Sequence, residues 1–489
     1  MILTLRGHDY RYAAEQMMLT LFPGERPGTG SNELVLSLSE GRTWLTATAE
    51  LTYEGTCFRA VRRAKTAELT GGLTDARVKQ RILKLAFYDA GVAALGKEPP
   101  WGALTGVRPV RIPARAMAAG ASAKEAEALL RDTYRVTPLR RSLAMDCARA
   151  SEDCRKALKP DELSLYVGIP FCPSRCIYCS FISANVSKCL PLVSPFVDAL
   201  EREIEAVGQL LRRTGRHIRT VYIGGGTPTT LSAEQLRRVL DAMDRCLPLD
   251  RCTEFTVEAG RPDTITPEKL AVLAAHPLVD RISVNPQSMN DEVLRRMGRP
   301  HTGDDIRRAY AQVRQAGELA VNRDLSAGLP GAGAESYAAS LEEVVSLAPE
   351  NITVHTLALK KGSRLMEEGD ALPDAGAVKA MLDRTWDRLH QAGYTPYYLY
   401  RQKYMSGSFE NVGWAKPGYA SLYNIAMMEE LHTILALGGG GVTKLVWPAT
   451  GKIERRANPK YPQEYLRKIE TICREKGDLA PFLLETKGD

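Results

Sequence analysis

Three thiols set the chemistry open to this chain. In the run Tyr166-Val167-Gly168-Ile169-Pro170-Phe171-Cys172-Pro173-Ser174-Arg175-Cys176-Ile177-Tyr178-Cys179 the cysteines stand at C-x3-C-x2-C spacing, directly after a short apolar strand. Iron–sulfur clusters are held by thiolates, and a four-iron cluster normally takes four. Three on one short loop leave one iron open to an outside ligand. A structural zinc site is the competing chemistry, but it calls for a fourth Cys or His nearby, usually as a second pair. The next thiol, Cys189, has no partner His. Further on, Gly224-Gly225-Gly226-Thr227-Pro228 forms a turn whose glycines let backbone approach a ligand closely. Glu258, Gln287, Arg299 and Asp324 then arrive in order, at or just past predicted strand ends.

These residues need a frame. From Leu163 strands and helices alternate, the sign of a parallel sheet. Expected strands are Ser164–Ile169, Thr220–Ile223, Glu254–Glu258, Arg281–Val284, Ala320–Leu325 and Asn351–Leu357. Ser194 before Pro195 reads as a helix start, and Ser232 with Gln235 and Thr302 with Asp305 fit the capping box. Six such units make an α/β fold, a partial (β/α)6 TIM-like barrel spanning 159–393. The thiol loop then falls at the carboxyl ends of the strands, where such barrels place their chemistry. Residues 1–158 read as an N-terminal α+β domain. Its strands are Ile2–Leu5, Glu33–Leu38, Trp44–Ala49 and Phe58–Val61; its helices are Ala76–Ala90 (stopped by Gly91), Ala123–Tyr134 and Leu139–Leu158. Residues 394–489 read as a C-terminal cover region, with an aromatic strand Tyr397–Tyr400 and an apolar helix near Leu422–Leu437.

Composition narrows the class. The 489 residues are 44% hydrophobic and 25% charged, as in ordinary globular proteins. No apolar run approaches the roughly 20 residues needed to cross a bilayer, and the start is too soon charged for a signal peptide. Ten cysteines without such a signal suit a reducing cytoplasm. A net charge of +7 fits an anionic small substrate or solubility alone, and the absence of any Lys/Arg-dense segment argues against nucleic acid.

The Cys run, with an aromatic before its third thiol, resembles the signature of radical S-adenosylmethionine (SAM) enzymes. The resemblance implies one [4Fe-4S] cluster on Cys172, Cys176 and Cys179, with SAM on the open iron and cleaved to a 5′-deoxyadenosyl radical. Within that family the order of motifs is similar to that of the anaerobic coproporphyrinogen oxidases, over about residues 160 to 445. The likeness implies SAM contacts from Tyr166, Tyr178, Gly224, Gly225, Gly226, Thr227, Glu258, Gln287, Arg299 and Asp324. Asp324 and Gln287 would take the ribose hydroxyls and Arg299 the carboxylate, with Tyr166 near the reacting end. A core Tyr or a local cap is the alternative for each residue alone.

Leu104-Thr105-Gly106-Val107-Arg108-Pro109, Tyr400-Arg401-Gln402-Lys403 and Glu410-Asn411-Val412-Gly413 look like the HemZ-type subgroup. The implied reaction is oxygen-independent decarboxylation of two propionates of coproporphyrinogen III to vinyls, giving protoporphyrinogen IX. An electron donor such as flavodoxin or ferredoxin is implied as well. Arg108, Arg401, Gln402 and Lys403 are candidates to hold propionates, since guanidinium groups match carboxylates; exposed basic residues are the alternative. A SAM-dependent haem-opening methyltransferase and a haem-binding carrier of the same fold stay open. The sequence departs from the better-known oxidases at Phe181, where they have a further Cys, and at Gly168, where a His is common. The HNxxYW motif of the related haem chaperones is absent, and His355 and His432 are the histidines to check instead. Leu435–Val442 matches a segment that contacts a second SAM in the oxidases and equally suits a buried turn.

Overall fold

The computed structural model describes residues 1–179, 184–360, 363–367, 374–402 and 408–487. Two compact units emerge: Met1–Met145 with Arg401–Phe409, and Asp146–Tyr400 with Glu410–Asp489. Among the described residues no helix is long and apolar enough to cross a membrane.

The first unit opens with β1 (Ile2–Arg6), α1 (Arg11–Leu21), β2 (Glu33–Glu40), β3 (Trp44–Tyr53) and β4 (Thr56–Lys65). They form a sheet in the order β1-β2-β3-β4, parallel at β1/β2 and antiparallel after. Leu34, Leu36, Leu45, Ala47, Ala49 and Leu51 are buried, the period-two burial of a sheet covered on one face. The cover is α1 with α2 (Leu73–Leu95). The expected stop at Gly91 does not occur: α2 runs on to Leu95 and ends at Gly96, whose φ of 64° is left-handed. Gly91 serves packing instead, because a Cβ there would stand 2.7 Å from Leu21 Cδ1. After α3 (Arg111–Ala118), the helix expected to reach Tyr134 ends early as α4 (Ala123–Ala128) and passes into a wider π turn, Leu129–Thr133.

After α5 (Pro138–Ala157) the second unit builds the barrel from β5 (Glu162–Ile169), short β6 (Phe171–Cys172) and β7 (Ala184–Asn185), α6 (Val186–Cys189), α7 (Val193–Thr214), β8 (His217–Gly225) and α8 (Ala233–Cys246). It continues through β9 (Glu254–Glu258), α9 (Pro267–Ala275), β10 (Arg281–Ser283), α10 (Asp291–Arg296), α11 (Gly303–Ala316), β11 (Ala320–Ala327), α12 (Ala334–Ser346) and β12 (Asn351–Thr356). β5, β8, β9, β10, β11 and β12 pair in parallel in that order, the partial barrel read from the sequence. Both capping boxes form, Ser232 with Gln235 and Thr302 with Asp305. Ser194 does not cap: a 3₁₀ turn, Leu190–Leu192, feeds directly into α7, and Ser194 Oγ instead accepts from Gln235 at 3.2 Å.

The rest of the chain comprises α13 (Arg364–Glu367), α14 (Ala375–Gln391), β13 (Thr395–Arg401), β14 (Glu410–Ala415), α15 (Leu422–Glu429), β15 (Ile434–Gly438), β16 (Val442–Trp447), β17 (Lys452–Ala457), α16 (Pro462–Gly477) and α17 (Ala480–Glu485). β14 and β13 extend the sheet beyond β12, and β15, β16 and β17 extend it beyond β5. The single apolar helix expected near Leu422–Leu437 is thus a helix followed by a strand. Glu430, at φ 55°, ends α15, and Ile434–Gly438 is fully buried beside β5. Short apolar runs do not distinguish a buried strand from a helix, which is why the pattern misleads.

Alternation sorts the barrel residues. Leu163, Leu165, Val167, Val221, Ile223 and Val257 join the core shared with the helices. The intervening positions face inward and are polar: Ser164 bonds Thr220 at 2.6 Å, and Tyr222 bonds Glu258 at 2.5 Å. A small cavity inside is lined by Thr256, Arg281, Ser283, Asn322 and Asn351. The usual barrel interior is filled with branched apolar side chains; this one is a polar surface.

Backbone packs on backbone beside the first strand. A Cβ at Gly168 would lie 2.6 Å from Gly439 O, and one at Gly439 would lie 2.6 Å from Pro170 Cγ. A side chain at Gly168 would collide with the facing backbone. Buried Glu203 on α7 holds the opposing turn, accepting from Gly438 N at 2.8 Å, Asn458 Nδ2 at 2.8 Å and Tyr465 Oη at 2.6 Å. Gly168→Ala should therefore cost about 1–3 kcal/mol, as overpacking does. Chemical denaturation checks this, and an unchanged midpoint at unchanged slope would contradict the packing argument.

Candidate active site at the barrel mouth

The thiol loop leaves β5 at Pro170 and is pinned by the turn after β8. Gly226 N donates to Ile169 O at 2.7 Å, and Thr227 N to Phe171 O at 2.7 Å. Thr227 Oγ1 lies 3.4 Å from Cys172 Sγ. A Cβ on Gly226 would stand 2.5 Å from Phe171 O and 3.0 Å from Cys172 Sγ, so glycine is required for the turn to lie against the loop. Gly225 takes φ 115°. On the loop's other side, Ile177 N donates to Met297 O at 3.2 Å and Ser174 Oγ to Gly298 O at 3.2 Å. Cys176 is buried, while Cys172 and Cys179 are half-buried.

Inside the mouth, Tyr166 stacks on Tyr222 with ring centres 6.3 Å apart, and Tyr222 stacks on Tyr423 at 4.6 Å. Tyr222 holds Glu258 through its hydroxyl. A Cβ on Gly224 would press on that carboxylate at 3.0 Å. Burial pushes the Glu258 carboxyl up to about 7; the Asp324 charge adds to the rise, and hydrogen bonds from Tyr222 and Gly225 oppose it. Tyr222 was not singled out from the sequence, since a lone aromatic in an apolar strand reads as core.

Gln287 sits at φ 67°, a conformation that is uncommon for a residue with a side chain. It is fixed there by its own N–H to Asp324 O at 2.8 Å and by Ser326 N to its carbonyl at 2.9 Å. Its side-chain oxygen accepts from Ser326 Oγ at 2.5 Å. Asp324 accepts from Asn322 Nδ2 at 2.8 Å, and its second oxygen lies 3.7 Å from His355 Nε2. Arg299 is buried; Nη1 donates to Asn285 O at 2.7 Å, Nε has no partner, and the guanidinium interacts with the Tyr178 hydroxyl and the Cys176 thiol. The structure thus joins Tyr166, Tyr178, Gly224–Thr227, Glu258, Gln287, Arg299, Asp324 and the thiols into one connected set at the strand ends.

The substrate candidates lie in the other compact unit. Arg401 is buried, with Nη1 donating to Leu104 O at 2.5 Å and Nε to Ser408 O at 2.8 Å, its guanidinium over the Trp101 ring. Two of its nitrogens thus brace the chain at Leu104 and Ser408. Arg108 and Gln402 are half-buried; Lys403 and Phe181 lie outside the described residues. His432 is buried with Nε2 bonded to Ser164 Oγ at 2.8 Å, and burial holds its imidazole down at about 4, which keeps it neutral.

The residues present fit an anionic cluster. Burying thiolates calls for nearby cations or donors, and Arg261, Arg299 and Lys360 all face this loop. Arg299 keeps an unpaired buried N–H, suited to a carboxylate. Among the described residues no three His, Cys, Asp or Glu side chains converge on a single-ion site; a four-iron cluster spreads its thiolates over separate irons.

Comparison with known proteins agrees. The model of the Radical SAM superfamily matches residues 166–344. The oxygen-independent coproporphyrinogen-III oxidase-like protein HemZ of Bacillus subtilis is 36% identical over 469 residues, covering 93% of this chain and 91% of that protein. This chain belongs to the HemZ-type, coproporphyrinogen-III oxidase-like family of radical SAM proteins. The family's fold extends to the structure of coproporphyrinogen III oxidase (HemN) from Escherichia coli, with TM-score 0.52 at 24% identity over 66% of this chain and 71% of that one. The family also lies near the heme chaperone HemW of Escherichia coli, 29% identical over 63% of this chain and 77% of that protein. Membership in the superfamily implies a [4Fe-4S] cluster and SAM.

Glu258 gives a pH test on the apoprotein. Its folded value, about 7, is above the ordinary 4.5, so the folded state binds more protons between these values. Its stabilising contribution is therefore full below 4.5 and lost as pH rises through 7. Glu258→Gln keeps an acceptor for Tyr222 and should flatten the fall in stability between about pH 5 and 8. A denaturation series in which the variant keeps the wild-type slope would contradict the assignment.

Proposed function

We propose that the chain carries a [4Fe-4S] cluster on Cys172, Cys176 and Cys179 and binds SAM beside it. Using both, it oxidatively decarboxylates two propionates of coproporphyrinogen III to vinyls, giving protoporphyrinogen IX in the cytoplasm. The observation that carries this reading is the match to HemZ along nearly the whole of both chains. When bound, the cluster supplies one-electron cleavage of SAM to a carbon-centred radical.

The protein's part is orientation and exclusion of water. Arg299 meets the SAM carboxylate with its free N–H, since a buried guanidinium gains most from an anionic partner. Gly224 to Thr227 present backbone to the methionine end; Asp324 and Gln287 take the ribose hydroxyls; Tyr178 orders the loop beside Arg299. Tyr166 walls the reacting end, and Glu258, more protonated than an exposed carboxyl, adds little negative charge beside it. At the substrate one hydrogen atom would pass from the propionate β-carbon to the carbon-centred radical, giving 5′-deoxyadenosine; the vinyl would then form with loss of carbon dioxide and of one electron to an external one-electron acceptor. The incoming electron is supplied by a one-electron carrier such as a flavodoxin or ferredoxin.

Reconstituted protein should hold about four irons per chain, and Ala at Cys172, Cys176 or Cys179 should abolish reductive SAM cleavage. A triple variant that still bound iron and sulfide stoichiometrically would overturn the ligand set. Asp324→Asn should weaken SAM binding by roughly one to two orders of magnitude, the worth of a charge-assisted hydrogen bond. Unchanged affinity with a collapsed melting temperature would make the residue structural.

Incubation with coproporphyrinogen III, SAM and a strong reductant tests the reaction itself, with protoporphyrinogen and 5′-deoxyadenosine expected. Deoxyadenosine without loss of carboxylate would sink the decarboxylase. The likeness to HemW makes haem the competing ligand: haem consumed would mean ring opening, and haem bound without turnover a carrier.

A further inference from the structure

Arg261 is a residue that neither the motif order nor the family match assigns. It follows β9 on the turn Gly260-Arg261-Pro262 and is 3% exposed. Its guanidinium reaches across to the thiol loop three times. Nη2 donates to Ser174 Oγ at 2.9 Å, Nη1 to Ser174 O at 3.4 Å, and Nη1 also stands 3.9 Å from Cys176 Sγ. Its Nε faces Asp263 at 3.3 Å. Beside it lie buried Arg299, on the same thiol, and His301, whose ring nitrogens make no hydrogen bond, with Nδ1 3.9 Å from Asp263, and which burial and these two arginines hold neutral, at about 3.

Two guanidinium groups thus converge on one buried sulfur, with Asp263 the one carboxylate paired to Arg261 among the described residues. Buried charge is expensive unless compensated. A neutral thiol would leave this pocket with excess positive charge; a metal-bound thiolate balances it. Hydrogen bonds to cluster sulfurs and nearby charge set the reduction potential. Adding an electron adds negative charge, which a cation against a ligand sulfur favours.

We infer that Arg261 is a positioning residue for the cluster: it ties the loop at Ser174 and, through its N–H and charge at Cys176, raises the cluster's reduction potential. This rests on the cluster assignment above. The step concerned is transfer of one electron from a reduced protein carrier, oxidised by one, to the cluster, reduced by one. Ser174 supplies the geometry, since its hydroxyl accepts from Arg261 and donates to Gly298 O, clamping the loop between the turns after β9 and α10.

Two variants separate charge from shape. Arg261→Gln keeps an N–H donor but removes the charge; Arg261→Lys keeps the charge and loses the fork. On each reconstituted protein, without SAM, iron and sulfide per chain, melting temperature and an EPR-monitored redox titration are measured. Arg261→Gln should retain iron while its reduced-to-oxidised ratio falls about tenfold at fixed ambient potential, equal to about 59 mV for one electron. Arg261→Lys should recover most of that shift. A Gln variant that keeps its iron and titrates like wild type overturns the inference. So does loss of iron from both variants, which would make the arginine a strap alone. Wild-type protein that takes up no iron would instead refute the cluster assignment, a distinguishable failure.

Discussion

Close backbone packing at the ends of three adjacent strands is the constraint on which the site depends. β8 and β15 finish in glycine and β5 carries Gly168 one residue before its end, and there main chain lies on main chain: Gly168 against Gly439 O, Gly225 against Ile169, Gly226 against Phe171 O. A side chain at any of these points would push the thiol loop off the barrel. Because the packing is made by backbone, the start of the loop is tied directly to the turn after β8. The network around Glu203 and Lys476, with Tyr465 and Asn458, fixes the outer member of the trio from α7 and α16. Residues far from the mouth thereby help to hold it.

The second constraint is electrostatic. The barrel interior is lined by hydroxyls, amides and a few charges, and each such group costs free energy unless it is paired. Many are paired with one another, as Tyr222 is with Glu258 and Thr353 with Asn322 at 3.2 Å. The unpaired buried atoms include Arg299 Nε and Asn285 Oδ1, both beside the thiol loop. Thr256 Oγ1 and Arg281 Nε, on the interior cavity, have no hydrogen-bond partner either, so open hydrogen-bonding capacity runs from the mouth into the barrel. Gln287 keeps its uncommon conformation because bonds to Asp324 and Ser326 over-determine it.

Much of this was legible in the residues. The strand–helix alternation gave each of the six parallel strands within a few residues, because each shows as a short run with apolar residues at alternate positions, bounded by turns. The turn after β8 could be placed against the thiol loop in outline, because both follow neighbouring parallel strands. Failures have physical causes. Gly91 looked like a stop, but its reason is Leu21, a partner distant in sequence. The 422–437 run hid a strand because burial on all sides erases the period that separates helix from strand. That Arg401 donates to the carbonyls of Leu104 and Ser408 could not be read from the sequence, because Leu104 is almost three hundred residues away. Arg261 was passed over because its partners, Ser174 and Cys176, are more than eighty residues away.

The central claim is that the three thiols at the mouth hold a cluster with one iron open to SAM. EPR spectroscopy of the reduced, reconstituted protein with and without SAM tests it directly. The account requires a four-iron signal whose g-values change when SAM is added. A signal indifferent to saturating SAM would mean that the fourth iron is already ligated, and the site as described here would be wrong.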